Sequence, residues 1–229
     1  MLAPKILELK KLLMAEASLV EKMVSMAFHG LYHEYRESFE DVLIFEKRVN
    51  QLEIEIDNKC VSLIALNQPE AKDLRTILMI YKINNDLERL GDHTVNIAES
   101  VARLSMNPVV NQLPELNEMK EKTLQMLKES LDAFTEESTE LSRKVCNDDN
   151  VVDDYNRSIA VKLIHLMKEN ATAIEEYLHL LRIAKNLERI ADLSTNIAES
   201  TIYIAHGKVI KHHADEPKAY YALTNLNPI

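Results

Sequence analysis

The sequence predicts an all-α protein built from two tandem, pseudo-symmetric three-helix bundles, with six long antiparallel helices in total. Glycine and proline are scarce, with three and six residues in a chain of 229, which suits long helices. Apolar residues recur at helical spacing through most of the chain. Residues 86–100 are repeated closely as residues 186–200, which indicates a tandem duplication.

The first predicted bundle covers residues 1–106. Its first helix runs from Ile6 to about Phe28, starting near Pro4 and ending at Gly30. The second helix runs from about Ser38 to Leu66. Its predicted buried seam has coiled-coil-like spacing and consists of Val42, Phe45, Val49, Leu52, Ile56 and Leu63. The third helix begins in the turn at residues 67–70, where Pro69 occupies a permitted first-turn position, and ends near Leu104.

The second predicted bundle covers residues 115–207. Two prolines between long helical patterns indicate a linker at residues 107–114. The three helices that follow are predicted at Glu115–Phe134, Glu137–Lys168 and Ala171–Ala205. Gly207 is expected to close the last helix, and residues 208–229 to form a C-terminal tail.

Charge and composition exclude several classes of function. The formal net charge of −10, without a concentrated basic tract, argues against nucleic-acid binding. No apolar run is long enough for a signal peptide or a membrane span, so a cytoplasmic location is expected. Cys60 and Cys146 lie in different halves and are expected to be reduced thiols.

The repeated stretch places oxygen donors on one stripe of a helix. Positions three and four apart are neighbours on a helix surface. One stripe therefore gathers Glu88, Asp92, Asn96 and Glu99, on the side roughly opposite Leu87, Leu90 and Ile97. The same geometry holds for Glu188, Asp192, Asn196 and Glu199 in the second half. A solvated helix face explains one such stripe. Its recurrence with the same acids and amide favours a ligand that contacts those oxygens.

Carboxylate and amide oxygens suit Mg, Ca, Mn, Fe or Zn ions. A stripe on one helix rarely binds an ion tightly by itself, so a second helix must add donors. Glu53, with Asn50 and Asp57 beside it, is the candidate in the first half. Asp153, with Asn156, is the candidate in the second half.

Motifs for other chemistry are missing from the sequence. No Gly-x-Ser-x-Gly motif, activated cysteine context or glycine-rich phosphate loop is present, so the sequence gives no support for nucleophilic catalysis or for a phosphate loop. A di-iron carboxylate enzyme would need two Glu-x-x-His pairs, and only Glu176 and His179 have that spacing. This enzyme, and a metal-free helical scaffold, stay open as alternatives.

Over nearly its full length the chain resembles the PhoU family of bacterial phosphate-uptake regulators. The family has a Glu-x-x-x-Asp motif in the third helix of each bundle, found here as Glu88–Asp92 and Glu188–Asp192. Flanking matches occur at residues 49–57, 68–75 and 152–155.

The resemblance implies a negative regulator, and not an enzyme, that couples the phosphate ABC transporter to its sensor histidine kinase. It implies a homodimer that contacts the membrane only through these partners. Some members bind iron or zinc at the two motifs, on the outer face of the bundles. Carried over, this gives Glu88, Asp92 and Asn96 for one site and Glu188, Asp192 and Asn196 for the other.

Two departures from the family pattern bear on these sites. His93 follows the first motif where Leu193 follows the second, so the two sites are expected to differ. Asn50 and Asn156 stand where family members often have acids, which reduces the negative charge available for several ions.

Overall fold

The computed structural model describes residues 2–32, 37–104, 110 and 113–207. These ranges contain six α-helices and no strand, which confirms the predicted all-α class. The helices are α1 (Ala3–Tyr32), α2 (Glu37–Asn67), α3 (Ala71–Leu104), α4 (Pro114–Glu136), α5 (Thr139–Glu169) and α6 (Ile174–His206). A short 3₁₀ turn, Ala171–Ala173, leads into α6.

Helices α1–α3 pack together, as do α4–α6, and α3 and α6 pack against each other between the two groups. Consecutive helices within each group are antiparallel. The Asn84 side chain of α3 reaches Asp57 on α2, for example, whereas the earlier Ile77 of α3 lies beside the later Cys60. Buried Leu, Ile, Val, Met and Ala side chains from both groups form one continuous core.

The predicted seam of α2 is largely confirmed. Val42, Val49 and Ile56 are fully buried, and Leu52 and Leu63 nearly so. Phe45 is only half-buried, packed against the edge of the core. The spacing of three and four residues therefore identified the buried face of this helix correctly.

Gly30 does not end α1, contrary to the sequence prediction. The helix continues to Tyr32, and both Gly30 and Leu31 are buried. A glycine inside a helix costs about 1 kcal/mol relative to alanine, which burial of neighbouring apolar side chains can offset. By contrast, Gly207 does close α6, in the left-handed conformation with φ 67°, and its N–H bonds to the carbonyl of Tyr203.

Two other helix starts differ from the prediction. Helix α2 runs on to Asn67, and α3 begins only at Ala71, so Pro69 lies in the loop rather than in a first turn. Helix α5 begins at Thr139 because the Ser138 side chain caps it by accepting a hydrogen bond from the Leu141 N–H.

Most of the predicted linker and all of the predicted tail lie outside the described residues. Val110 and Leu113, the two described positions before α4, are both buried. The domain limits at residues 106, 115 and 207 stay predictions. Within the ranges that the structure covers, no helix is both long and apolar enough to cross a membrane.

Candidate functional site

The acidic stripe of α3 lies on the side of the helix that faces away from the core. Asp92 is exposed, and Glu88 and Asn96 are half-buried, whereas Leu87, Leu90 and Ile97 are fully buried. The stripe of α6 is similar, since Glu188, Asp192 and Asn196 are all half-buried. Both stripes therefore present oxygen atoms at the surface of the protein.

Helix α2 adds two carboxylates to the stripe of α3. The Asn84 side chain, fully buried on α3, donates to the Glu53 carbonyl oxygen at 3.0 Å and to Asp57 Oδ1 at 2.8 Å. Burial raises the pKa of Glu53, and the carboxylates of Asp57 and Asp92 raise it further. Glu53 thus lies close to the α3 stripe.

We call Glu53, Asp57, Glu88 and Asp92 the first acidic cluster. Burial raises the pKa of Glu88, and the neighbouring carboxylates of Asp92 and Glu53 add to the rise. Within the described ranges, no lysine or arginine nitrogen comes within salt-bridge distance of any of the four carboxylates. The cluster is therefore a set of like charges that repel one another.

Glu16, on α1, lies near the first acidic cluster and was missed by the sequence reasoning. Its side chain is fully buried, and within the described ranges neither carboxylate oxygen has a hydrogen-bond partner. Burial raises the pKa of Glu16 to about 9, with further contributions from Glu53, Asp57 and Glu88. A glutamate at a buried position of an otherwise apolar helix face, one residue before Ala17 and three after Leu13, was the signal that could have found it.

We call Asp153, Glu188 and Asp192 the second acidic cluster, and its charges are largely paired. Lys185 Nζ lies 2.6 Å from Glu188 Oε2, and Arg189 Nη1 lies 2.8 Å from Asp192 Oδ2. Burial raises the pKa of Asp192 and Glu188 adds to the rise, while Arg189 opposes it and Asp153 has a smaller raising effect. The structure thus brings the three acids near one another but surrounds them with cations.

The two asparagines of the stripes are not equally available as metal ligands. Asn96 Oδ1 accepts a hydrogen bond at 2.7 Å from Arg182 Nη2 of α6, and the same guanidinium pairs with Glu99 at 2.8 Å. The side-chain oxygen of Asn96 is thus used in joining α3 to α6. Asn196, on α6, is half-buried at the matching position.

His93 also serves the contact between α3 and α6. Its Nδ1 lies 2.9 Å from Oδ1 of Asn186, while Leu193, at the matching position, is buried. The difference between His93 and Leu193 therefore affects the helix interface rather than the acidic stripes themselves.

These clusters can attract a cation, but they are not preformed metal cages. Among the described residues, no three His, Cys, Asp or Glu side chains stand together in a geometry ready to hold an ion. An ion would have to draw the side chains of the first cluster together against their mutual repulsion. The chemistry that fits such a donor set is coordination of a hard cation by oxygen atoms.

The di-iron alternative finds little support on α6. Glu176 and His179 are half-buried near the start of the helix. Thr76 and Met79 occupy the matching positions on α3, so the second Glu-x-x-His pair that this chemistry needs is missing there.

Comparison with known proteins identifies related sequences and folds. The PhoU domain model matches the chain twice, at residues 13–101 and 116–201. A phosphate-specific transport system accessory protein PhoU homolog from Clostridium acetobutylicum is 35% identical over 204 residues, which cover 89% of this chain and 93% of that protein.

Two crystal structures have the same fold. PhoU from Pseudomonas aeruginosa matches with a TM-score of 0.85 at 31% identity, over 91% of this chain and 100% of that one. The phosphate transport system regulatory protein PhoU from Streptococcus pneumoniae matches with a TM-score of 0.86 at 29% identity, over 93% of this chain and 100% of that one.

Proposed function

The chain belongs to the PhoU family, and from this premise we propose that it serves as an accessory protein of a phosphate transport system. The observation that carries the proposal is the presence of both PhoU domains in one chain that spans the whole of two PhoU crystal structures. Its role would be regulatory rather than catalytic.

More specifically, we propose that the protein is a negative regulator of phosphate uptake and phosphate-starvation signalling. It acts in the cytoplasm as a homodimer and couples the phosphate ABC transporter to a sensor histidine kinase. The net charge of −10 and the surface carboxylates favour partners with basic contact surfaces.

We further propose that metal ions, with iron or zinc as the first candidates, bind at the two acidic clusters. Glu53, Glu88 and Asp92 supply the donors in the first half, and Asp153, Glu188 and Asp192 supply them in the second. Asn96 and Asn196 complete the predicted sets, although Asn96 would first have to release Arg182. A bound cation would offset the repulsion within the first cluster, which supports binding there.

The regulatory role is tested by deleting the gene in the source organism and measuring transporter transcripts when phosphate is ample. We expect transcripts to rise in the deletion strain and to return to the wild-type level on complementation. Affinity-tagged protein should recover transporter subunits from the same cells. Unchanged transcripts together with no recovered transporter subunit would contradict the regulatory proposal.

The metal proposal is tested by purifying the protein without chelators and measuring bound metal by mass spectrometry. Glu88→Ala with Asp92→Ala should remove the metal of the first cluster, and Glu188→Ala with Asp192→Ala that of the second. Metal content that stays the same in both double variants would rule out these sites. A ligand that prefers the folded state should also raise the midpoint of thermal unfolding.

A further inference from the structure

Among the residues that the structure describes, no side chain or backbone group pairs with the buried carboxylate of Glu16. The side chain has no exposed surface, and neither of its oxygens has a hydrogen bond within the described ranges. Protonation would remove the charge but would leave the two oxygens unpaired. An unsatisfied carboxyl group in a closely packed core is costly, so its presence calls for a ligand.

Glu16 lies close enough to the first acidic cluster to feel the charges of three of its carboxylates. The charges that act on it most strongly, after burial itself, belong to Glu53 and Asp57 on α2 and to Glu88 on α3. Carboxylates from three helices therefore surround one region, and within the described ranges no lysine or arginine pairs with them. A cation is the one kind of ligand that would pair Glu16 and relieve the repulsion among the other acids at the same time.

The second half shows that the fold does not need an acid at this place. Val49 and Ile56 of the first half correspond to Val152 and Ile159 of the second half. The same offset makes Met119 of α4 the equivalent of Glu16. Met119 is fully buried and packs in the core, as an apolar residue at this position should. Packing alone therefore does not explain the glutamate.

We propose that Glu16 is a direct ligand, supplied from α1, of a metal ion held by the first acidic cluster, which makes this cluster the tighter of the two sites. This inference rests on the proposed metal binding. The ion would be a hard or borderline cation such as Mn²⁺, Fe²⁺ or Zn²⁺, since all the donors are oxygens. The second cluster, with Met119 in place of the glutamate, has no donor from its own first helix.

The test measures Mn²⁺ and Zn²⁺ binding to chelator-treated protein by isothermal titration. Variants are Glu16→Gln, which keeps the shape of the side chain, and Glu16→Met, which copies the second half. Glu21→Gln is the matched control, because Glu21 is a half-buried acid on the same helix whose charged neighbours Asp132 and Lys128 lie on α4. We expect both Glu16 variants to weaken the tighter site by about tenfold or more, and the control to bind like the wild type.

The other outcomes separate this inference from the proposal beneath it. If Glu16→Gln binds as tightly as the wild type while Glu88→Ala with Asp92→Ala abolishes the tighter site, Glu16 is not a ligand and the proposed metal site stands. If the wild type binds neither ion and also carries no iron or zinc when purified without chelators, the metal proposal fails and this inference fails with it. Circular dichroism confirms that each variant is folded, and if Glu16→Met does not fold, the isosteric Glu16→Gln decides.

Discussion

In the first half of the molecule the carboxylates of Glu53, Glu88 and Asp92 lie near one another, whereas in the second half Glu188 and Asp192 pair with Lys185 and Arg189. The two helices that carry these acids repeat almost the same sequence, and both carry the arginine that follows the first glutamate of the motif. The difference arises from residues on either side of the repeated positions.

Two neighbouring positions account for the contrast. Lys185, which pairs with Glu188, corresponds to the neutral Asn85 on α3.

The second position is that of Asp86, which lies 3.9 Å from Arg89 and corresponds to Asn186 on α6. Without an acid at that place, Arg189 turns to Asp192 instead. The same motif therefore gives two different sites. The charged residues beside each motif determine whether its carboxylates pair with lysine or arginine or stay available to bind a ligand.

The third contrast lies in the core, where Glu16 stands against Met119. The largest effect should follow from giving the second half the glutamate of the first. Met119→Glu places a carboxylate in a fully buried apolar position and is expected to cost about 3–5 kcal/mol of unfolding free energy. Urea unfolding measures the loss.

Met119→Leu serves as the control for this substitution, since a volume-conserving apolar change should cost less than about 1.5 kcal/mol. A Met119→Glu variant as stable as Met119→Leu would show that the second half can also accommodate the acid. The two cores would then not differ in their ability to hold a buried glutamate at this position.

The reverse change, Glu16→Met, should stabilise the metal-free protein by about 1–3 kcal/mol at mildly alkaline pH, because it removes an unsatisfied buried group. For a chain of this size each kcal/mol raises the thermal midpoint by about 2–4 °C. Thermal unfolding in the presence of a chelator measures the gain.

The gain should depend on pH in a defined direction. The pKa of Glu16 is raised from 4.5 to about 9 in the folded state, so the folded state holds this proton more tightly than the unfolded state does. The stabilising contribution of the protonated form is complete below about 4.5 and is lost as the pH rises through 9. The advantage of Glu16→Met should therefore be larger near pH 8 than near pH 5. An advantage that is equal at both values would mean that Glu16 is not protonated in the core.

Periodicity and the repeat were sufficient to predict the six helices and the side of α3 that carries the acids. They could not predict Glu16, because helical period assigns a residue to a face but does not tell which neighbours stand across from it. They also could not predict that Arg182 donates a hydrogen bond to Asn96, since that contact joins residues of different halves. Long-range side-chain pairing depends on how the helices are placed against each other, which the local pattern does not specify.

The capping errors have a similar origin. Gly30 reads as a helix end, but burial of the surrounding α1 residues carries the helix past it. Gly91 lies on α3 where α1 and α2 pack against that helix. A Cβ there would meet Val49 Cγ1 at 3.7 Å and Met23 Cε at 3.8 Å, which is ordinary contact, so alanine would also fit.

Gly91→Ala consequently offers a smaller test of how alike the two halves are. Ala191 is buried at the matching position of α6. Because the space is available and alanine favours the helix, the variant should gain about 0.5–1 kcal/mol in unfolding free energy. The reciprocal Ala191→Gly should lose a similar amount, and denaturant unfolding measures both. A loss in Gly91→Ala would show that α1 and α2 approach α3 too closely for a Cβ.

The smallest effect on stability should come from Lys185→Asn, which gives the second cluster the neutral residue found at position 85. The lysine is half exposed, so its loss should cost only about 0.2–1 kcal/mol. Its effect on ion binding is more informative, since Glu188 then loses its nearest cation. We expect Mn²⁺ to bind the second cluster more tightly, by up to about fivefold for 1 kcal/mol.

Lys11→Asn, which removes an exposed lysine of α1, controls for the change in net charge. Because long-range attraction is screened at physiological salt, this control should leave Mn²⁺ affinity nearly unchanged. Titration of both variants in the Glu88→Ala, Asp92→Ala background reports on the second cluster alone. If Lys185→Asn and Lys11→Asn change the Mn²⁺ affinity equally, net charge is responsible for the effect. The ion pair between Lys185 and Glu188 would then not account for a difference in affinity between the two clusters.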